Sequence, residues 1–174
     1  MSSPAQVLVL NGPNLNLLGH RQPHLYGTDT LDKITVAMKE RAKPAGLQVT
    51  VKQSNHEGQL IDWLHEADAQ KVDAIILNAG GLSHHSVSLH DAIAAIEPPV
   101  IEVHITNIYA REGFRRQSIL APVAAGGLQG FGTHGYLMAL DAAHRIIQSR
   151  KQQKAGKATP PPAPQQGISD DQKH

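Results

Sequence analysis

In Val100-Ile101-Glu102-Val103-His104-Ile105, Ile101, Val103 and Ile105 fall on one side of an extended chain, and Glu102 and His104 on the other. A carboxylate beside an imidazole orients the ring and favours its charged form, the state of a general acid. On this pairing alone, a general acid and a buried, hydrogen-bonded structural histidine are equally good readings. Tyr26, in a glycine-flanked stretch near Arg21, is a second candidate. A phenol titrates near pH ~10, so it serves as a base only with positive charge close by, which Arg21 could supply. Without context, a surface tyrosine is the commoner outcome. Arg111 and Arg115 stand four residues apart, with Arg116 adjacent. If the stretch is helical, two guanidiniums face one way and suit a carboxylate or phosphate; a solvated basic face is the default.

Other chemistry is poorly supported. Cysteine is absent, which excludes disulfides, thiolate zinc sites and cysteine nucleophiles. His84-His85 has no neighbouring carboxylate or thiolate to complete a metal site, so no metal is expected. The phosphate-cradling glycine motifs and the G-x-S-x-G nucleophile turn are missing. The net charge of +1 is too small to suggest a nucleic-acid partner. No apolar run reaches membrane-spanning length. Neither does a charged segment followed by an apolar core open the chain, so the cytosol is the expected compartment.

These candidates need a frame to hold them. Gln6 to Leu10, Leu47 to Val51, Asp73 to Asn78, Val100 to His104 and, more weakly, Ala124 to Gly130 read as strands. Helical spacing links Leu31, Ile34 and Met38 behind a Thr30 cap, then Leu60, Trp63, Leu64 and Ala67. Further helices are predicted from Ser86 to Ile96 and from about Gly132 to Arg150. Alternating strands and helices imply a five-stranded parallel sheet covered on both faces, an α/β sandwich of flavodoxin-like order. Ligands then bind beyond the carboxyl ends of the strands. That rim collects Asn11, Asn14 and the loop to Thr30; Asn78, Gly80, Gly81 and His84; and His104, Asn107, Arg111 and Arg115. The expected domain spans 1–150. Residues 151–174, rich in Pro, Gln and Lys with one large aliphatic side chain, are expected to be a disordered tail.

Four segments in order, Leu8 to Gly27 (LVLNGPNLNLLGHRQPHLYG), Gln53 to Gly58 (QSNHEG), Ile76 to Asp91 and Ile101 to Ser118, followed by Gly135-Tyr136, closely resemble type II dehydroquinases. The resemblance implies anti elimination of water from 3-dehydroquinate to 3-dehydroshikimate, without metal or cofactor. It makes Tyr26 the base, Arg21 the residue that activates it and His104 the acid, oriented by Glu102. Asn78, His84, Arg115 and the N–H groups of Ile105 and Thr106 would hold substrate hydroxyls and carboxylate. Asn14 would hold a water at the enolate, Arg111 would complete the charged surround of Tyr26, and Asp91 would reach a neighbouring subunit in a homododecamer built from trimers. His90, Tyr109, Gly113 and Ile119 depart from the commonest family pattern, around the acid–base pair rather than on it. The same dehydration serves shikimate biosynthesis and quinate breakdown, and the residues do not choose between them. A small-anion-binding relative without catalysis is disfavoured, because binding alone needs no acid–base pair.

Overall fold

A computed structural model describes residues 3–20 and 27–157. Five parallel strands, β1 (Ala5–Asn11), β2 (Leu47–Gln53), β3 (Ala74–Asn78), β4 (Val100–His104) and β5 (Gly126–Gln129), form one sheet in the order β2-β1-β3-β4-β5. Four helices cross between and after them: α1 (Leu31–Ala42), α2 (Glu57–Ala69), α3 (Val87–Ala95) and α4 (His134–Lys157). The flavodoxin-like expectation holds in strand order and in layering.

Strand alternation sorts the apolar residues into two cores. Val7 and Val9, Ile76, and Ile101, Val103 and Ile105 pack with Ile34 and Met38 of α1 and Ala139, Leu140 and Ala143 of α4. Leu8 and Leu10, with Ile75 and Leu77, face Leu60 and Leu64 of α2 and Leu89 and Ile93 of α3. The central strands are therefore apolar on both sides, as a covered parallel sheet requires.

The helix boundaries have local causes. Thr30 caps α1 by accepting from Lys33 N, and a turn containing Pro44 followed by left-handed Gly46 (φ 67°) ends it. Ser86 caps α3 by accepting from Leu89 N at 2.9 Å, and its hydroxyl also donates to Glu57 in the first turn of α2. The last helix continues past the expected end at Arg150 to Lys157. Lys, Gln and Ala propagate a helix already nucleated, and the next proline is Pro160. The tail from residue 158 onward lies outside the described residues.

Register brings the site together. Asn11 pairs with Asn78, Leu77 with Glu102, and His104 with Gln129, so the last residues of β1, β3 and β4 form one rim. The order turns back on itself between β1 and β3, which is where such sheets open a crevice.

Candidate active site

The floor of that crevice is a buried polar chain. Asn78 Nδ2 donates to Tyr136 Oη at 2.8 Å, and the phenol donates onward to Asn11 Oδ1 at 2.6 Å. Asn78 Oδ1 accepts from Gly80 N at 3.2 Å, and Asn11 Nδ2 donates to Lys52 O at 3.3 Å, so both amides have fixed orientations. Burial pushes the Tyr136 phenol above its ordinary value, against the smaller opposing effect of the Asn78 bond. It therefore stays a neutral tie between β1, β3 and α4.

Above this floor the chain leaves β1 through Gly12, whose N–H donates to Asn78 O at 2.8 Å. A Cβ on Gly12 would lie 2.5 Å from Ala79 O, so only glycine lets the two turns approach this closely. Asn14 follows in the left-handed region (φ 69°), its N–H bonded to Asn55 Oδ1 at 2.9 Å, and starts a 3-10 turn, Leu15–Leu17, within the expected loop. Gln53 Nε2 braces the turn by donating to Gly12 O and to Asn55 Oδ1.

A cavity of about 150 Å³ opens here. Asn14, Leu15 and Leu18 line it from the β1 side; Asn78, Gly80, Gly81 and His84 from β3; Ile105, Arg111 and Arg115 from β4. Seven of the expected residues or their neighbours on the rim thus meet at one place: Asn14, Asn78, His84, Ile105, Arg111 and Arg115 on its wall, and Thr106 bonded to that wall through Arg111 Nη1 at 3.2 Å. Arg111 and Arg115 do not share a helix face as the i, i+4 spacing would have it. Arg111 follows one 3-10 turn, Ile108–Ala110, and Arg115 closes a second, Gly113–Arg115, the two separated by the non-helical backbone of Arg111 and Glu112. The two still converge, because the Nε atoms of both lie 3.4 Å from Glu112 Oε2. For Arg115 this is an ion pair without hydrogen-bond alignment. The Glu112 carboxyl lies below its usual range, first through a backbone N–H of its own residue and then through the charges of Arg111 and Arg115.

Glu102 and His104 share a face of β4, as alternation requires. Glu102, its side chain 4% exposed, accepts at Oε1 from His104 Nε2 at 2.7 Å. That contact assigns the Nε2 proton to the carboxylate and leaves Nδ1 as the nitrogen able to exchange a proton with a ligand. His104 stacks on His84 with centroids 6.2 Å apart, and it lines an adjoining hollow rather than the cavity wall itself. His84 Nδ1 is 2.8 Å from Gln117 O, a bond that fixes a proton there and turns Nε2 into the free edge of the ring. Asp91 is elsewhere, on α3, its side chain 72% exposed and 2.9 Å from His90 Nδ1. Arg21 and Tyr26 lie outside the described residues. Tyr136, Asn11, Gln53, Asn55 and Ser118 carry parts of the site for which the sequence suggested no role. Their positions at strand ends and in the resembling segments were the available signal.

Comparison with known proteins agrees with this architecture. The family described as Dehydroquinase class II matches residues 5–144. The 3-dehydroquinate dehydratase of Rhizobium johnstonii is 51% identical over 140 residues, 80% of this chain and 96% of the relative. That of Halothermothrix orenii is 49% identical over 143 residues, 82% and 96% of the two chains. Among solved structures, the type II dehydroquinase of Butyrivibrio crossotus superposes with a TM-score of 0.80 at 40% identity, covering 82% of this chain and 99% of that one. The type II dehydroquinase of Propionibacterium acnes gives 0.78 at 39% identity, covering 83% and 98%. The chain belongs to the class II dehydroquinase family.

Proposed function

We propose that this chain is a 3-dehydroquinate dehydratase, a hydro-lyase that removes water from a carboxylated cyclic ketone by anti elimination. The observation that carries the reading is the Glu102–His104 pair, at 2.7 Å, beside a cavity walled by two arginines. In this reading Tyr26, activated by Arg21, takes the proton alpha to the ketone, and Arg111 adds to the positive surround. The electrons move into an enolate, held by the water on Asn14. The carbon–oxygen bond then breaks as His104 Nδ1 gives its proton to the departing hydroxyl, so a proton gained at tyrosine is balanced by one lost at histidine. Asn78, His84, Arg115 and the N–H groups of Ile105 and Thr106 hold the hydroxyls and carboxylate. Each general acid or base contributes roughly 10²–10⁴-fold, and preorganised stabilisation of the enolate adds further powers of ten.

The same reading makes the enzyme cofactor-free, cytosolic and active in the shikimate pathway. It is a homododecamer in which Asp91 reaches the site of an adjacent subunit; the exposure of Asp91 on α3 supports this assignment. The test follows absorbance of the conjugated enone after 3-dehydroquinate is added to purified protein. Turnover that persists in chelator and falls at least roughly 10²-fold in Tyr26→Phe and in His104→Ala is the expected result. Absence of turnover in the folded wild-type oligomer would overturn the reading, and undiminished turnover in either variant would overturn that residue's role.

A further inference from the structure

Ser118 does not line the substrate cavity, yet it grips the buried end of the acid. Its Oγ donates to Glu102 Oε1 at 2.6 Å, and the same oxygen accepts from His104 Nε2 at 2.7 Å. Ser118 Oγ also accepts from Leu120 N at 3.2 Å, which engages a lone pair and turns the hydroxyl proton toward the carboxylate. The bonds therefore run in one direction from backbone to hydroxyl to carboxylate, where the imidazole meets them. Glu102 itself is only 3% exposed.

What the serine prevents is visible next door. Glu102, His104 and Ser118 share a hollow of about 340 Å³ with Arg116 and Gln129. A carboxylate held by the histidine alone has room there to turn, and a guanidinium on the wall to turn toward. Hydrogen bonds to an ionised group are the stronger kind and have strict geometry. Two donors converging on one oxygen define its position far better than one.

We propose that Ser118 is a positioning residue for the general acid: by fixing Glu102 Oε1 it fixes the ring angle and the Nε2–H tautomer of His104, and so aims Nδ1 at the departing hydroxyl. The inference rests on His104 being the acid of the proposed reaction, but its structural half can be read without substrate.

The experiment compares wild type, Ser118→Ala and Ser118→Thr in the full-length protein, by steady-state dehydration of 3-dehydroquinate and by ¹⁵N spectra of histidine-labelled protein. The His104 signals are assigned by their loss in His104→Gln. At a pH where the ring is neutral, wild type should show the Nε2–H tautomer. Ser118→Ala should lose it to an averaged pattern, with kcat lowered roughly ten- to hundredfold and KM within about twofold. Ser118→Thr, which keeps the hydroxyl, should restore both. An unchanged ¹⁵N pattern in Ser118→Ala overturns the inference, as does a loss that threonine fails to rescue, which would mark a packing role. Inactive wild type combined with a tautomer change in Ser118→Ala would refute the reaction and leave the positioning standing.

Discussion

Replacing Tyr136 by phenylalanine should cost far more stability than one lost hydroxyl suggests. The ring stays buried and the volume barely changes, so no cavity term enters. What changes is that Asn78 Nδ2 and Asn11 Oδ1 each lose a partner inside the protein. Neither amide can turn to find another, because Asn78 Oδ1 already serves Gly80 N and Asn11 Nδ2 already serves Lys52 O. An unpaired buried polar group costs roughly 1–3 kcal/mol. Two of them, less the desolvation that the missing phenol no longer suffers, give about 2–4 kcal/mol. In a chain of this length that lowers Tm by roughly 4–16 °C. Urea denaturation of Tyr136→Phe, followed by circular dichroism with a fixed m-value, measures it directly. The loosened Asn78 amide should also raise KM for 3-dehydroquinate. A variant within about 0.5 kcal/mol of wild type would show that water or amide rotation satisfies both asparagines, and the rigid-floor reasoning would fail.

Three further outcomes are expected. Gly12→Ala places a Cβ 2.5 Å from Ala79 O, a backbone atom that cannot step aside; turnover and Tm should both fall, and a variant with unaltered Tm would show that the β1 turn is more yielding than its geometry implies. The Tyr136 phenol is raised by burial, so its contribution to stability is complete below the unfolded value near pH ~10 and is lost as pH climbs beyond it toward the folded value. Stability measured from pH 8 upward should therefore fall more steeply in wild type than in Tyr136→Phe above about pH 10, and parallel curves would contradict the burial. Arg41 and Asp141 link α1 to α4 at 2.8 Å, but both side chains are more than half exposed. Arg41→Ala should leave the urea unfolding midpoint almost unchanged, and a clear loss that persists in high salt would point to packing by the arginine stem instead.

Strands and helices announced themselves wherever their cause was local. Val100 to His104 could be bounded to the residue because the alternation of Ile101, Val103 and Ile105 is strict and Pro98-Pro99 stops the preceding helix. Thr30 was legible as a cap and Ser86 as the start of a helix, each from its local sequence. The Glu102–His104 contact was also readable, since a strand places residues i and i+2 side by side whatever the rest of the fold does. Errors arose where a short-range rule met an exception. The spacing of Arg111 and Arg115 puts them on one face only if the stretch is helical, and it is not: Asn107 caps only a short turn, accepting from Tyr109 N, and the backbone of Arg111 and Glu112 leaves the helical region. Residues 151–174 read as a disordered tail because they bury nothing, yet a helix already formed needs no burial to add further turns and runs on to Lys157; residues from 158 onward lie outside the described ones. The parts of the site that stayed hidden depend on distance along the chain. Tyr136 finds Asn11 across 125 residues and Ser118 finds Glu102 across 16. Only the assembled sheet makes those neighbours, so no window of sequence could have paired them.

The Asn11–Tyr136–Asn78 chain has one more effect, on how the cavity responds to acid and alkali. Every member is uncharged, and the only one that can ionise is held neutral by burial. Proteins commonly floor an anion site with lysine or histidine, whose charge comes and goes with pH. Here the floor behaves as an insulator with fixed dipoles, and the carboxylate that meets Arg111 and Arg115, Glu112, lies outside it. The base plate therefore keeps its charge state through the neutral range, and any proton exchange with a ligand falls to groups above it.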